Sequence, residues 1–215
     1  VQTPIINLRS SPDRSLRIAA VLVLRRWSHP DLRYFLTDED DYIALEAARA
    51  INDDWSVIEA LPALASLLNS TQLTSEALGR RAINAASRLG TLKTLELLIQ
   101  FAQRDDIPLE LKVESIDALS HWAEPSLLDR VDGRYRGYQK RDLELLKRYL
   151  RPMVSLLDIK NKIEVKVESI RMFAEVGEQS ASQKIFELFR IDNDATVRAT
   201  ALRALGRLNY QNLNQ

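Results

Sequence analysis

Several residue types that commonly build functional sites are absent or scarce in this chain. It has no cysteine and only two histidines, His29 and His121, among 215 residues. The lack of cysteine excludes disulfides, thiolate metal ligands and a cysteine nucleophile. Neither histidine has a second histidine at metal-ligand spacing, so we expect both to be structural. We therefore predict no metal site and no cofactor.

Recognisable catalytic motifs are missing as well. The six glycines form no phosphate-binding loop and no nucleophile elbow. The acidic run "DEDD" at residues 38–41 lacks the glycine and the final glutamate of an EF-hand loop, and an acidic helix N-terminus explains it better. No residue can be assigned a catalytic role, and we predict that this chain is not an enzyme.

The chain has no excess charge of either sign and no long apolar run. Its 30 basic and 30 acidic residues give a formal net charge of zero, so no long-range field attracts nucleic acid or an anionic membrane. Runs such as "AAVLVL" are far shorter than the roughly 18 residues that cross a bilayer. We predict no nucleic-acid partner and no membrane segment.

What the sequence does contain is a repeat. The pentapeptide "KVESI" occurs at Lys112–Ile116 and again at Lys166–Ile170. Its apolar spacing aligns six segments, in which a small residue stands four positions after the first apolar one. These small residues are Ala20, Ala47, Ala82, Ser115, Ser169 and Ala201. Apolar residues at i, i+4, i+5 and i+8 mark one helix face, and the small residue marks close approach of a neighbouring helix.

The repeat length predicts the fold class. Successive segments start 27 to 35 residues apart, except for one interval of 54, and other apolar segments lie between them. Paired helices recurring at this length are typical of an α-solenoid. We predict one all-α domain over residues 1–215, with five to six helical hairpins and one long insertion between repeats. The second helices are expected near residues 13–27, 39–52, 75–89, 109–122, 162–176 and 194–208, and the insertion at 123–142.

The last segment carries a family resemblance. "DNDATVRATALRALGRL", residues 192–208, resembles the second helix of a HEAT repeat, and the resemblance extends over nearly the whole chain. It implies an interaction or scaffold module that binds a protein partner. It also implies a role for one aligned position, called the basic column, which is occupied by Arg17, Lys112, Lys166 and Arg198. These residues are expected to pair with acids in the turns. The two copies of "KVESI" are then two occurrences of one structural position.

The insertion at 123–142 is the main candidate for a contact element. It is rich in arginine and tyrosine, the residue types that dominate interface hot spots, and it shows little helical periodicity, so we expect an exposed loop. The candidate binding residues are Arg134, Tyr135, Arg136, Tyr138 and Arg141. The alternative is structural: the tyrosines fold the loop back over the repeats while its arginines pair with acids such as Asp129 and Asp132.

Part of the insertion supports a narrower resemblance. "HWAEPSLLDRVDGRYRG", residues 121–137, resembles the HEAT region of large multidomain bacterial proteins that also carry a sugar-dehydrogenase-like propeller and a c-type haem domain. This resemblance implies a helical module whose partner is a neighbouring domain of the same polypeptide, with redox chemistry outside this chain. It would place the parent protein in the periplasm or at the cell surface; the compartment is otherwise unknown.

Two HEAT-like enzymes are the alternatives. Alkylpurine DNA glycosylases use such arrays, but they need a strongly basic concave face to hold phosphates. Here the charges of the side chains along the predicted solvent-facing ridge of the six helices alternate in sign. No feature of the sequence marks a bilin-lyase pigment site. The ridge residues are Glu46, Arg49, Asp53, Arg81, Asn84, Arg88, Glu114, Asp117, His121, Glu168, Arg171, Glu175, Thr200, Arg203 and Arg207. A mixed surface favours a protein partner.

The ends of the chain suggest an incomplete array. The segment before Leu16 is short for a first helix, and the tail "NYQNLNQ" is polar. We expect a fragment of a longer chain and weak self-association through an uncovered end.

Trp27 and Trp122 share one repeat position, and we expect both to serve core or end packing.

Overall fold

A computed structural model describes residues 4–53, 57–71, 73, 75–137 and 139–211. Over these residues the regular structure is helical, apart from one isolated antiparallel bridge between Leu128 and Tyr135. The α-helices are α1 (Arg14–Arg26), α2 (Asp41–Asn52), α3 (Leu61–Ser66), α4 (Glu76–Leu89), α5 (Leu92–Gln103), α6 (Leu109–Ser120), α7 (Leu143–Leu150), α8 (Ile163–Val176), α9 (Ser182–Ile191) and α10 (Ala195–Arg207). Short 3-10 helices lie at Pro4–Ser10, Pro30–Phe35, Ile58–Ala60, Leu67–Asn69, Arg151–Leu157 and Gln179–Ala181. The predicted all-α fold class is confirmed for the described residues.

The six segments that the sequence aligns are α1, α2, α4, α6, α8 and α10. The small residue of the alignment is at most 1% exposed in each of them: Ala20, Ala47, Ala82, Ser115, Ser169 and Ala201. A small side chain at this position allows a neighbouring helix to approach closely. The small residue of the alignment therefore lies on the buried face of each of the six helices.

The described residues group into two compact units. Unit 1 comprises the chain up to Leu97 together with Leu128–Arg136, and unit 2 comprises Leu98–Leu127 together with the chain from Gly137 onward. The sequence predicts one repeat domain, whereas the middle of the insertion belongs to unit 1 and its flanks belong to unit 2. The physical reason is that Leu128–Arg136 forms its hydrogen bonds with helices α2 and α4, as described below.

In unit 1, α1 packs on α2, α2 packs on α4, and α3 packs on α4. Side chains satisfy the free amides at the start of these helices. Asp13 accepts from the amide of Ser15 at 2.8 Å, and Asp40 accepts from the amide of Tyr42 at 2.9 Å. The acidic run at 38–41 thus lies at the N-terminus of α2, as the sequence predicts.

In unit 2, α6 packs on α8, and α10 packs on both α8 and α9. Asp194 accepts from the amides of Thr196 and Val197 at 2.8 and 3.0 Å and caps α10. Helix α8 ends at Gly177, whose φ of +71° lies in the left-handed region that glycine adopts without strain.

The repeated basic column bonds to the turns, as the HEAT resemblance implies. Lys166 is 4% exposed and pairs with buried Asp192, while Lys112 is 8% exposed and donates to the side chain of Asp105 at 3.0 Å. In unit 1, Arg17 donates through Nε to Asp38 at 3.0 Å. Both copies of "KVESI" place a lysine that bonds to a backbone carbonyl of the preceding turn, but the carboxylate partner is exposed for Lys112 and buried for Lys166.

Some sequence expectations about exposure are wrong. Trp122 is 2% exposed, but Trp27, at the equivalent position, is 56% exposed. Leu16 and Leu202 belong to the aligned apolar positions, yet they are 44% and 46% exposed. They lie in the first and last α-helices described, where the packing surface on one side of the helix faces solvent.

Candidate functional site

The structure separates the residues that the sequence groups as a contact element. Arg134, Tyr135 and Arg136 lie in the segment Leu128–Arg136 of unit 1, called the contact segment below, and Arg141 lies in unit 2. Tyr138 lies outside the described residues. The predicted set therefore divides between the two units.

The contact segment forms a tight turn. The amide of Asp129 donates to the carbonyl of Arg134 at 2.8 Å, and the amide of Gly133 donates to the carbonyl of Asp129 at 3.0 Å. Gly133 adopts a φ of +71°, a conformation in which other residues would be strained. These bonds bring Leu128 and Tyr135 into the isolated bridge at the base of the turn.

Asp129 anchors the contact segment to unit 1. Its side chain is fully buried and accepts from Nδ2 of Asn84, at 3.1 Å to Oδ1 and 2.9 Å to Oδ2. Its Oδ1 also accepts from the backbone amides of Val131 and Asp132, at 2.8 and 3.1 Å. One buried carboxylate thus both shapes the turn and binds it to α4.

Arg136 joins the same network from the end of the segment. It donates to Asp132 at 2.8 Å and to the backbone carbonyl of Asn52 at 3.0 Å, and its Nε lies 3.4 Å from Oδ2 of Asp129. Asn84 also donates to the side-chain oxygen of Asn52 at 2.9 Å. These bonds connect the segment to the end of α2.

Arg88 completes what we call the buried polar cluster: Asn52, Asn84, Arg88, Asp129, Asp132 and Arg136. Arg88 donates to the carbonyl of Asn52 at 3.1 Å and lies 3.8 Å from Asp129. Burial lowers the pKa of Arg88, and the nearby Arg136 lowers it further. The cluster places two guanidinium groups around two carboxylates, so its charges are balanced.

The cluster also perturbs the pKa of Asp129. Burial disfavours the charged carboxylate, but hydrogen bonds from Asn84 and from the amides of Val131 and Asp132, together with Arg88, outweigh that effect. The pKa of Asp129 consequently lies below its ordinary value. Asp129 is therefore ionised at neutral pH and holds the segment through charge-assisted hydrogen bonds.

Two candidate residues remain accessible at the surface of this segment. Tyr135 is 73% exposed, and the side chain of Arg134, which is 48% exposed, lies 3.8 Å from Asp132. Leu128, beside Tyr135 in the bridge, is 53% exposed. The buried polar cluster therefore supports a surface that presents an aromatic ring, a guanidinium and an aliphatic side chain.

Arg141 has a structural role in unit 2. Its guanidinium lies over the ring of Trp122, 5.1 Å from the centroid, and donates to the Trp122 carbonyl at 2.9 Å. Its backbone amide donates to the carbonyl of Ala123 at 2.8 Å, and burial lowers its pKa. Arg136 pairs with Asp129 and Asp132, as the structural alternative has it, whereas Arg141 packs on Trp122.

Sequence reasoning missed the helix residues of the buried polar cluster. Asn84 was assigned to the solvent-facing ridge, but it is 2% exposed, and Thr200, assigned to the same ridge, is 7% exposed. Asn52 is fully buried. The available signal was an asparagine surrounded by alanine and isoleucine in "AINAAS", which is typical of a buried polar group with a specific partner.

Unit 2 carries a separate groove along α6 and α8, with a volume of about 400 Å³. Most of its charged residues are acidic: Glu114, Asp117, Glu168 and Glu175 line it with His121 and Arg171. Burial raises the pKa of Glu168, and the charge of Asp117 raises it further. Three of the four carboxylates lie beside a basic side chain: Glu168 beside Arg171, Glu175 beside Arg207 and Asp117 beside His121.

The described residues contain no group of three or more histidine, cysteine, aspartate or glutamate side chains placed to hold a metal ion. Among the same residues, no helix is both long and apolar enough to cross a membrane.

Comparison with known proteins identifies a fold and no family. No protein-family model matches the chain, and no curated protein matches it. A designed armadillo repeat protein aligns at 18% identity with a TM-score of 0.52, over 95% of this chain and 98% of that chain. A second engineered protein aligns at 19% identity with a TM-score of 0.51, over 95% of both chains.

A phycocyanin lyase complex from Nostoc sp. aligns over 97% of this chain and 65% of that chain at 19% identity, but its TM-score of 0.43 is too low to carry an argument about function. The designed armadillo repeat protein and the second engineered protein together support an armadillo/HEAT-like helical repeat fold for this chain. They carry no information about its ligand.

Proposed function

We propose that this chain is a non-catalytic helical repeat module that binds a protein partner, and that Arg134 and Tyr135 of the contact segment form the centre of the contact. The observation that carries this proposal is a 73% exposed tyrosine on a turn that is anchored by a fully buried carboxylate. Tyrosine and arginine are the side chains most often found at the energetic centre of interfaces.

The rigidity of the contact segment supports the same proposal. A loop that is already ordered loses less conformational freedom on binding than a flexible one, so more of its contact energy appears as affinity. The buried polar cluster supplies this order, because Asp129 and Arg136 bond to residues of α2 and α4. In this proposal Arg136 supports the contact segment and Arg141 packs on Trp122, so Arg134 and Tyr135 are the residues chosen for the test.

A second part of the proposal concerns which kind of protein the partner is. The resemblance of residues 121–137 to the HEAT region of dehydrogenase-associated bacterial proteins supports a neighbouring domain of the same polypeptide as the partner, in the periplasm or at the cell surface. The residues that carry this resemblance include Asp129, Gly133 and Arg134, whose backbone hydrogen bonds shape the contact segment. The coding sequence that surrounds this chain distinguishes a partner in cis from one in trans.

The contact is tested by site-specific photocrosslinking followed by mutation. A benzophenone amino acid at position 135 should crosslink to a defined partner, whereas the same probe at Tyr42, an exposed tyrosine on α2, should not. Replacing Arg134 and Tyr135 with alanine should then weaken binding of that partner at least tenfold, because a hot-spot pair contributes about 2 kcal/mol or more.

The melting temperature of this double variant should equal that of the wild type, since neither side chain is buried. The control variant Tyr42→Ala should bind normally. Full affinity in the double variant, or crosslinking from position 42 alone, would contradict the proposed contact. A lower melting temperature with retained binding would assign the two residues to the fold.

A further inference from the structure

A second groove, of about 470 Å³, lies in unit 1 between the 3-10 helix Pro4–Ser10, the start of α1 and residues 34–39. None of its lining residues belongs to the contact segment. The groove is distinguished by polar groups that still have hydrogen-bonding capacity. We call it the N-terminal groove.

Two arginines contribute cations to the N-terminal groove. The Arg9 guanidinium lies over the Tyr34 ring, 5.4 Å from its centroid, and it forms no ion pair within the described part of the chain. Arg17 is 6% exposed and is held by bonds from Nε to Asp38 at 3.0 Å and from Nη1 to the carbonyl of Ser11 at 2.9 Å. These bonds fix the guanidinium of Arg17 at the wall of the groove.

Hydroxyl groups supply further donors. Ser10, Tyr34 and Thr37 line the groove, and their hydroxyls bond to no other residue that the structure describes. The Ser11 hydroxyl oxygen accepts from the amide of Asp13 at 3.2 Å, which leaves its own proton available to donate. The donors come from three segments of the chain: the 3-10 helix, the loop before α1 and residues 34–37.

The carboxylates of the groove do not balance these donors. Asp38 uses both oxygens, since Oδ2 accepts from Arg17 at 3.0 Å and Oδ1 accepts from the amide of Asp40 at 2.9 Å. Glu39 is 87% exposed at its side chain and approaches Nη2 of Arg17 only to 3.5 Å. Arg9 and the hydroxyls of Ser10, Tyr34 and Thr37 therefore have no acceptor among the described residues, and a ligand that supplies acceptor oxygens can bind them.

We propose that the N-terminal groove binds a phosphoryl group, either as free phosphate or as a phosphate ester. A tetrahedral oxyanion offers three or four acceptor oxygens that can meet donors from several segments of the chain, whereas a planar carboxylate offers two. Guanidinium groups bind phosphate through paired, charge-assisted hydrogen bonds. Arg9 supplies the positive charge, because Arg17 is already paired with Asp38, and the hydroxyls of Ser10, Tyr34 and Thr37 complete the coordination.

The proposal is tested by titrating the full chain with sodium phosphate at pH 7 and constant ionic strength, while following the arginine side-chain Nε–Hε signals by NMR. The Arg9 and Arg17 signals should shift saturably, and Arg9→Gln, followed through the Arg17 signal, should weaken binding at least tenfold. Arg33→Gln is the matched control, because Arg33 also lies over the Tyr34 ring, at 5.1 Å, but does not line the groove. This control should bind phosphate as the wild type does.

Two further variants keep the result interpretable if Arg9→Gln alters the fold. Thr37→Val, which removes one hydroxyl donor, should weaken binding a few fold, and Glu39→Gln, which removes a repelling carboxylate, should strengthen it a few fold. Shifts that follow ionic strength without saturating, or that persist unchanged in both Arg9→Gln and Thr37→Val, would overturn the proposal.

Parallel titrations with glycerol 3-phosphate and with blocked phosphoserine distinguish the sources of the phosphoryl group. Tighter binding of an ester than of inorganic phosphate would assign the groove to a phosphorylated molecule. Equal or weaker binding of both esters would assign it to the free anion.

Discussion

Replacing Asp129 with asparagine should destabilise unit 1, because asparagine keeps the volume of the side chain but removes its charge. One oxygen can still accept from the amides of Val131 and Asp132. The amide nitrogen would then occupy the position of Oδ2 and face two donors, Asn84 at 2.9 Å and Arg136 at 3.4 Å. Leaving buried charges without a partner costs about 3–5 kcal/mol. We expect a loss of about 3 kcal/mol, since part of the network survives.

The measurement is urea-induced unfolding followed by circular dichroism at pH 7, together with thermal melting. For a chain of this size, a loss of about 3 kcal/mol lowers the melting temperature by roughly 6–12 °C. The control is Asp106→Asn, because Asp106 is exposed and pairs with Arg104 at the surface. Such surface pairs contribute little to stability, so the control should melt like the wild type.

The pH dependence of the stability difference between the wild type and Asp129→Asn provides an independent check. The pKa of Asp129 is lowered in the folded state, so its stabilising effect is present above the ordinary aspartate pKa of about 3.9. That effect is lost as the pH falls from there through the lowered folded pKa. Equal stability of variant and wild type at pH 7, or a difference that stays constant in acid, would refute the role assigned to Asp129.

The remaining predictions concern unit 2. Lys166→Met should lower the free energy of unfolding by about 3–5 kcal/mol because it leaves buried Asp192 without its cation. Lys112→Met should cost clearly less, since its carboxylate partner is 96% exposed; equal losses would show that burial of the partner is irrelevant. Glu168→Gln should raise stability at pH 7, because burial and then the charge of Asp117 raise the pKa of Glu168 and make its ionised form unfavourable. This gain should shrink as the pH falls through the raised pKa and wild-type Glu168 becomes protonated, and a variant less stable than the wild type at pH 7 would contradict the assignment.

The candidate site was predictable only in part. Composition pointed to the insertion at 123–142, and Tyr135 and Arg134 are exposed there, as expected for a contact surface. Composition did not distinguish them from Arg136 and Arg141, because a half-buried arginine that supports a fold and an exposed arginine have the same sequence signal. The difference depends on which carbonyls and carboxylates lie within reach in the folded chain.

The helices follow from the sequence because their signal is local. Apolar residues at i, i+4, i+5 and i+8, with a small residue between them, specify one buried face within a dozen positions of each helix, and that pattern describes α1, α2, α4, α6, α8 and α10. The equivalent lysines of the two "KVESI" copies follow from the same periodicity.

Only the tertiary structure decided how the insertion is held. Asp129 binds Asn84, 45 positions earlier, and Arg136 binds the carbonyl of Asn52, 84 positions earlier. No periodicity connects residues at such separations, because their approach depends on how α2 and α4 pack against each other. A buried carboxylate is stable only where donors surround it, and this requirement brings the contact segment onto unit 1 and leaves Tyr135 at the surface.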